Sequence, residues 1–188
     1  YFTAKDHLES EDRLLEGGLK AALVAGRRFV EDPQDLKNRT ELHWLSATMF
    51  NHCFLATGSE NDWTTHRIEH ELGGEFDVIH GEGISAILPS IIRYVARRQP
   101  KRYAQLAVRV FDADPYDNDE EQLANYFANR IEEHFKAFGL ATSLHELGIA
   151  ESSIEHVADR LTLNGSKTVG NYSPLDRNDV IAVLRLAY

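Results

Sequence analysis

The sequence has one cysteine, one methionine, five prolines and no long apolar run, and each scarcity excludes something. A single Cys53 allows neither an internal disulfide nor a CxxC-type zinc cluster, which fits a reducing compartment and makes a cytoplasmic location the expectation. Cys53 stands among Phe50, Phe54 and Leu55, so a buried, inert thiol is expected there and not a nucleophile. The longest apolar stretch, residues 84–94, is interrupted by Pro89 and Arg93. It falls short of the roughly 20 residues that a bilayer-spanning helix needs, so no membrane partner is expected. Basic residues are the minority, 20 Lys and Arg against 30 Asp and Glu, for a net charge of −10. Binding phosphates needs the opposite balance, so a nucleic-acid partner is not expected either. Arg27–Arg28, Arg97–Arg98 and Lys101–Arg102 read instead as charges at helix C-terminal ends.

What is present suits a globular chain: 188 residues, 43% apolar and 27% charged, enough for one well-buried core. Position 1 is Tyr1 and the lone methionine is Met49, with no basic-then-apolar leader pattern after Tyr1. The N-terminus therefore reads as a cut inside a longer polypeptide, and residues 1–188 as one domain of it.

Apolar spacing is mostly three and four, the helical period. Leu14, Leu15, Leu19, Leu23 and Val24 predict one stripe on a helix from Leu8 to about Phe29, broken by Glu31-Asp32-Pro33. A second helix is predicted from about Thr40 to Leu55, followed by a turn at 58–61 in which Asn61 could cap a short helix carrying Trp63, His66 and His70. Gly73–Gly74 should end that helix, and another should run from His80 to about Arg98, kinked at Pro89 and stopped by Pro100. Residues 117–138 are amphipathic through Leu123, Phe127, Ile131, Phe135 and Phe138, with Gly139 at the stop. Two more helices are expected over 152–161 and 176–188, the latter opened by a capping Asp176. Without a convincing set of two-period strands, the fold class is all-α.

Nine histidines are present, and His66, His70 and His80 fall within fifteen residues. Positions 66 and 70 share one helix face, with Cβ atoms about 5–6 Å apart, so both rings can address one metal ion or one substrate group. The glycine pair before His80 lets the chain turn back beside them. Histidines scattered over surface and core are the plain alternative. HExxH fails because Arg67 follows His66, and the longer metzincin pattern has Phe76 where its third histidine belongs. The segment HRIEH fits the inverted H-x-x-E-H form, with Glu69 either a general base or simply a solvated helix residue. There is no G-x-S-x-G elbow and no phosphate-binding glycine loop, and Gly81-Glu82-Gly83 is too short to serve as one. Glu120–Glu121 and Glu132–Glu133 read as wet helix faces.

The run DWTTHRIEHELGGEFDVIHGEGISAILPSIIRY, residues 62–94, resembles the signature of iron-containing alcohol dehydrogenases, and within them the butanol-dehydrogenase branch. In that pattern Asp-Trp precedes a first histidine, a second follows four later and a third fourteen after the first, then glycine, an apolar stretch and proline. The match extends more loosely to residues 1–24, to HFKAFGLATSLHELG and to the closing LDRNDVIAVLRLA. The resemblance implies an all-α, multi-helix C-terminal domain in which His66 and His80 ligate a divalent metal, iron(II) or sometimes zinc. His70 would be the histidine beside the metal that helps with substrate or proton handling. It also implies that NAD(P) is held mainly by an N-terminal domain outside this sequence, and that the substrate is a small alcohol or aldehyde. The family's other two ligands, an Asp and a His four apart, have no counterpart here, since Asp6 and His7 are adjacent. The site should thus be half present, the chain inactive by itself, and apolar surface exposed where its own N-terminal domain would dock, with self-association as a consequence. Two other readings stand beside this one: an inverted-motif metallopeptidase using Glu69, and a non-enzymatic helical interaction domain.

Overall fold

The computed structural model describes residues 1–2, 8–49 and 61–188. Among these, helices make up the regular structure apart from isolated bridge residues such as the antiparallel pair Val169 and Leu175, so the fold is all-α as the apolar spacing predicts. None of the described helices is long and apolar enough to cross a membrane.

The helices are α1 (Glu9–Glu31), α2 (Leu36–Met49), α3 (Thr64–Phe76), α4 (His80–Ala96), α5 (Lys101–Phe111), α6 (Glu120–Ala137), α7 (Ile154–Thr162) and α8 (Arg177–Leu186). Helix α4 is the hub. Ala86, Ile87, Ile91, Ile92 and Val95 are all buried, and the helix packs against α3, α6 and α8. It is apolar nearly all round because it is covered nearly all round. Helices α5 and α6 pair closely, α1 lies on α2 and α5, and α7 bridges α8 and α3. Asp176 opens α8 in a capping box with Asp179 as the sequence suggests, a further capping box at Asp119/Gln122 starts α6, and Gly139, at φ +75°, follows the end of α6.

Several expectations need correcting. Helix α5 is missing from the pattern read above, although Tyr103, Leu106, Ala107 and Val110 bury one side of it. Helix α4 does end ahead of Pro100, at Ala96, and Pro100 is in addition the N-cap of α5. The α1 stripe splits: Leu19 and Leu23 pack on the core, whereas Leu14 and Val24 are exposed. Helix α2 begins earlier than Thr40, and its expected end at Leu55, like the Cys53 environment and Asp6 and His7, lies outside the described residues. Arg102 is not a helix-end charge. It is buried, donates to both carboxylate oxygens of Asp12 and to the Tyr1 carbonyl, and stacks on the Tyr1 ring with its guanidinium carbon 3.8 Å from the centroid. Glu132 is half-buried between Arg93 and Lys136, while Glu120 and Glu121 are wet as expected.

Candidate metal centre

Local chain geometry brings the three histidines together. Helix α3 carries His66 and His70 one turn apart. It does not stop at Gly73–Gly74 but runs through them to Phe76, and the chain turns at Asp77, whose φ is +55°. Only residues 77–79 separate α3 from α4, so the two helices pack against each other and His80, the first residue of α4, returns to the face that bears His66 and His70.

The ring centroids lie 4.2 Å apart for His66 and His70, 4.6 Å for His66 and His80, and 5.5 Å for His70 and His80. One nitrogen from each ring falls within 4.8 Å of the other two. Imidazoles that close can share a single divalent ion, whose bonds to nitrogen are about 2 Å long. His66 is half-buried, and burial, with some help from the neighbouring His70 and His80, holds it below the ordinary histidine value despite an opposing pull from Glu69. It is therefore neutral at pH 7, with a lone pair to give. His70 and His80 are exposed, so the cluster opens to the surface.

The carboxyl of Glu69 sits behind this face. It is only 2% exposed and bonds to Nδ1 of His80. The reading of Glu69 as a solvated helix residue is thus wrong, and its use as a peptidase base is hard to sustain, because the carboxyl is engaged by an imidazole and shut away from solvent. Room for it comes from two glycines. A Cβ on Gly83 would stand 2.7 Å from Glu69 Cγ, and one on Gly73 would stand 3.1 Å from Oε1.

The approach to α3 is held from far along the chain. Asp62 Oδ1 accepts the backbone N–H groups of Asn171 and Tyr172, both at 2.9 Å, while Oδ2 accepts that of Thr64 at 3.3 Å. The N-cap of α3 is Trp63 and not Asn61; Asp62, just before it, receives the Thr64 N–H, and Asn61 offers its carbonyl to the Asn171 side chain. Trp63 takes a left-handed conformation at φ +56°, and its ring meets His66 edge-on at 5.3 Å. Trp63, Thr65, His66, Ile84 and Leu88, with Tyr1 and Phe2, line an open cleft of about 400 Å³ beside the cluster. Its lining sets His66, Asp62 and Thr65 against apolar Phe2, Ile84 and Leu88, a mixture suited to a small molecule with a polar group. Asp62 and Glu69 are the residues whose roles sequence reasoning missed. The asparagine–tyrosine loop and His80 that define those roles are distant from them or on another helix.

The sequence model for the Fe-containing alcohol dehydrogenase family, C-terminal, matches residues 1–188. The chain is 26% identical over 185 residues to the probable NADH-dependent butanol dehydrogenase 1 of Bacillus subtilis, covering 98% of this chain and 47% of that protein. It is 25% identical to NADH-dependent butanol dehydrogenase A of Clostridium acetobutylicum, covering 100% of this chain and 48% of that one. The chain thus spans about half the length of the curated relatives it matches. Among solved structures, NADH-dependent butanol dehydrogenase A from Thermotoga maritima superposes with a TM-score of 0.85 at 27% identity, over 95% of this chain and 46% of that one. The aldehyde reductase YqhD from E. coli shares the fold with a TM-score of 0.88 at 20% identity, over 99% of this chain and 48% of that one.

Proposed function

Since this chain belongs to the Fe-containing alcohol dehydrogenase family, we propose that it is the C-terminal, metal-carrying domain of a longer NAD(P)-dependent alcohol dehydrogenase or aldehyde reductase. The observation that carries the proposal is the convergence of His66, His70 and His80, from two helices, on one point open to the surface.

The donor set suits the group the family name implies. Neutral imidazoles bind iron(II) and zinc alike, and three nitrogens within 4.8 Å of one another can reach one ion. His66 and His80 would hold the metal in this reading, and the ion, when bound, would supply Lewis acidity toward the oxygen of an alcohol or aldehyde. His70, exposed and 4.2 Å from His66 between ring centroids, is placed to take the hydroxyl proton on alcohol oxidation and to return it on aldehyde reduction. Ile84, Leu88 and Trp63 give a short alkyl chain an apolar wall. A nicotinamide held by the other half of the enzyme would exchange the hydride, and that half would also contribute the remaining ligands. Relatives about twice this length support that division.

Metal analysis of the full-length enzyme and its variants tests the reading, together with NADH and NADPH oxidation in the presence of butanal. His66→Ala and His80→Ala should each lose the metal and all turnover. His70→Ala should keep the metal while turnover falls about a hundred- to ten-thousand-fold, the usual worth of a positioned acid–base group. Full metal content in both His66→Ala and His80→Ala would remove the proposed ligands.

A further inference from the structure

Resting on the metal reading above, we propose that Glu69 is a positioning residue that fixes the tautomer and ring orientation of His80. A neutral imidazole carries one proton and one lone pair, on different nitrogens, and the partner of the first decides where the second is offered. Here the partner is a carboxyl that can accept but has no N–H to give. With Nδ1–H of His80 donating to Glu69, Nε2 is left as the nitrogen with a free lone pair.

Two features say that this contact is built and not incidental. First, a carboxyl is costly to bury, and Glu69 is 2% exposed while the ring it holds is half open to solvent, with 49% of the His80 side chain accessible. A glutamate two positions along on α3, Glu71, ends at the surface with Arg160, so the helix does not force its acidic residues inward. Second, the seat is walled by residues without side chains. Gly73 lies one turn along the same helix and Gly83 in the first turn of the next, and any larger residue at 83 would occupy the space of Glu69 Cγ. Two glycines are thus kept within helices, where each costs roughly 0.5–1 kcal/mol relative to alanine, around one carboxyl.

The role links the two helices of the centre. His66 and His70 are fixed relative to each other by sharing α3, whereas His80 depends on how α4 docks. Glu69, on α3, holds His80 directly and so sets the third ring against the other two. Carboxylates behind metal-bound histidines typically account for a 10–100-fold difference in metal affinity when removed.

The test uses the full-length enzyme, prepared metal-free and labelled with nitrogen-15 at histidine. In the wild type, the His80 ring should resonate as the Nδ1–H tautomer with Nε2 unprotonated. Glu69→Met fills the same space without an acceptor. It should leave the fold intact, give His80 a mixture of tautomers, and weaken zinc binding, read by competition with a chelator, about 10–100-fold. Glu69→Gln still offers a carbonyl oxygen, so it should restore the tautomer and most of the affinity, a rescue that a packing role does not predict. An Nε2–H tautomer in the wild-type protein overturns the proposal, and so does wild-type zinc affinity in Glu69→Met. A wild type without measurable zinc affinity would sink the metal reading instead, and the tautomer measurement would then decide the role of Glu69 alone.

Discussion

Two glycines in the first turn of α4 stand two residues apart and should respond to alanine in opposite ways. At Gly81 a Cβ meets nothing within 4 Å. Gly81→Ala adds helix propensity in open space and should leave stability unchanged or raise it by up to about 0.5 kcal/mol, the low end of the glycine penalty because first-turn positions are only partly helical. At Gly83 the added carbon would lie 2.7 Å from Glu69 Cγ, closer than carbon atoms can approach. Neither side can yield freely. Gly83 is buried on α4, and Glu69 has Gly73 on its other flank at 3.1 Å from Oε1.

The strain is relieved only if Glu69 leaves its seat, which breaks its bond to His80 and exposes a buried carboxyl to a poorer fit. Overpacking costs about 1–3 kcal/mol, and losing a hydrogen bond to a charged group about 1.5–3 kcal/mol. These overlap, so Gly83→Ala should destabilise by about 2–4 kcal/mol after the small propensity gain. Chemical denaturation followed by helical circular dichroism measures both variants in one series, and chelator competition on the same samples reads zinc affinity. Zinc binding should fall with Gly83→Ala and stay unchanged with Gly81→Ala. Equal midpoints for the two variants, or a Gly83→Ala protein as stable as wild type, would refute the account of the Glu69 seat.

Other perturbations test the supports around the centre. Gly170, at φ +91°, would place a Cβ 2.0 Å from Thr64 Oγ1, so Gly170→Ala should cost about 2–4 kcal/mol in a melting or denaturant curve and loosen the Asp62 clamp at the start of α3. Arg102→Met leaves Asp12 buried without its guanidinium and should cost about 3–5 kcal/mol, while Asp12→Asn in the same protein should recover a measurable part of the loss in a double-mutant cycle. Burial pushes the Asp179 carboxyl up, but bonds from Arg98, Tyr94 and the Asp176 backbone outweigh it and hold the group below its ordinary 3.8. Its folded-state value being depressed, the stability it provides is present above that ordinary value and is lost as pH falls through the lowered one. The midpoint difference between wild type and Asp179→Ala, about 1–3 kcal/mol near neutrality, should therefore shrink on acidification below roughly pH 4 and not on going alkaline.

The sequence made plain whatever depends on one helix at a time. The four-residue step from His66 to His70, the capping Asp176 and the apolar face of α6 through Leu123, Phe127 and Ile131 all appear where the sequence places them. Helix α5 is equally legible through Tyr103, Leu106, Ala107 and Val110, since Pro100, which follows the end of α4, serves as well at a helix start. What spacing could not show was any polar group whose partner arrives from elsewhere. Asp62 is 109 residues from Asn171, and nothing near Asp62 announces that loop. Glu69 is the sharper case. On a helical wheel a glutamate beside two histidines looks the same whether wet or buried, and only the return of His80 on α4 decides between them. The misreading of Gly73–Gly74 as a terminator has the same origin. With Glu69 assumed to lie outside, a glycine one turn later has no purpose except to end the helix; with Glu69 inside, Gly73 is the space that its carboxyl occupies, and the helix has every reason to continue. One unforeseen contact between two helices thus accounts for the errors at positions 69 and 73 together, and it is the contact on which the geometry of the centre most depends.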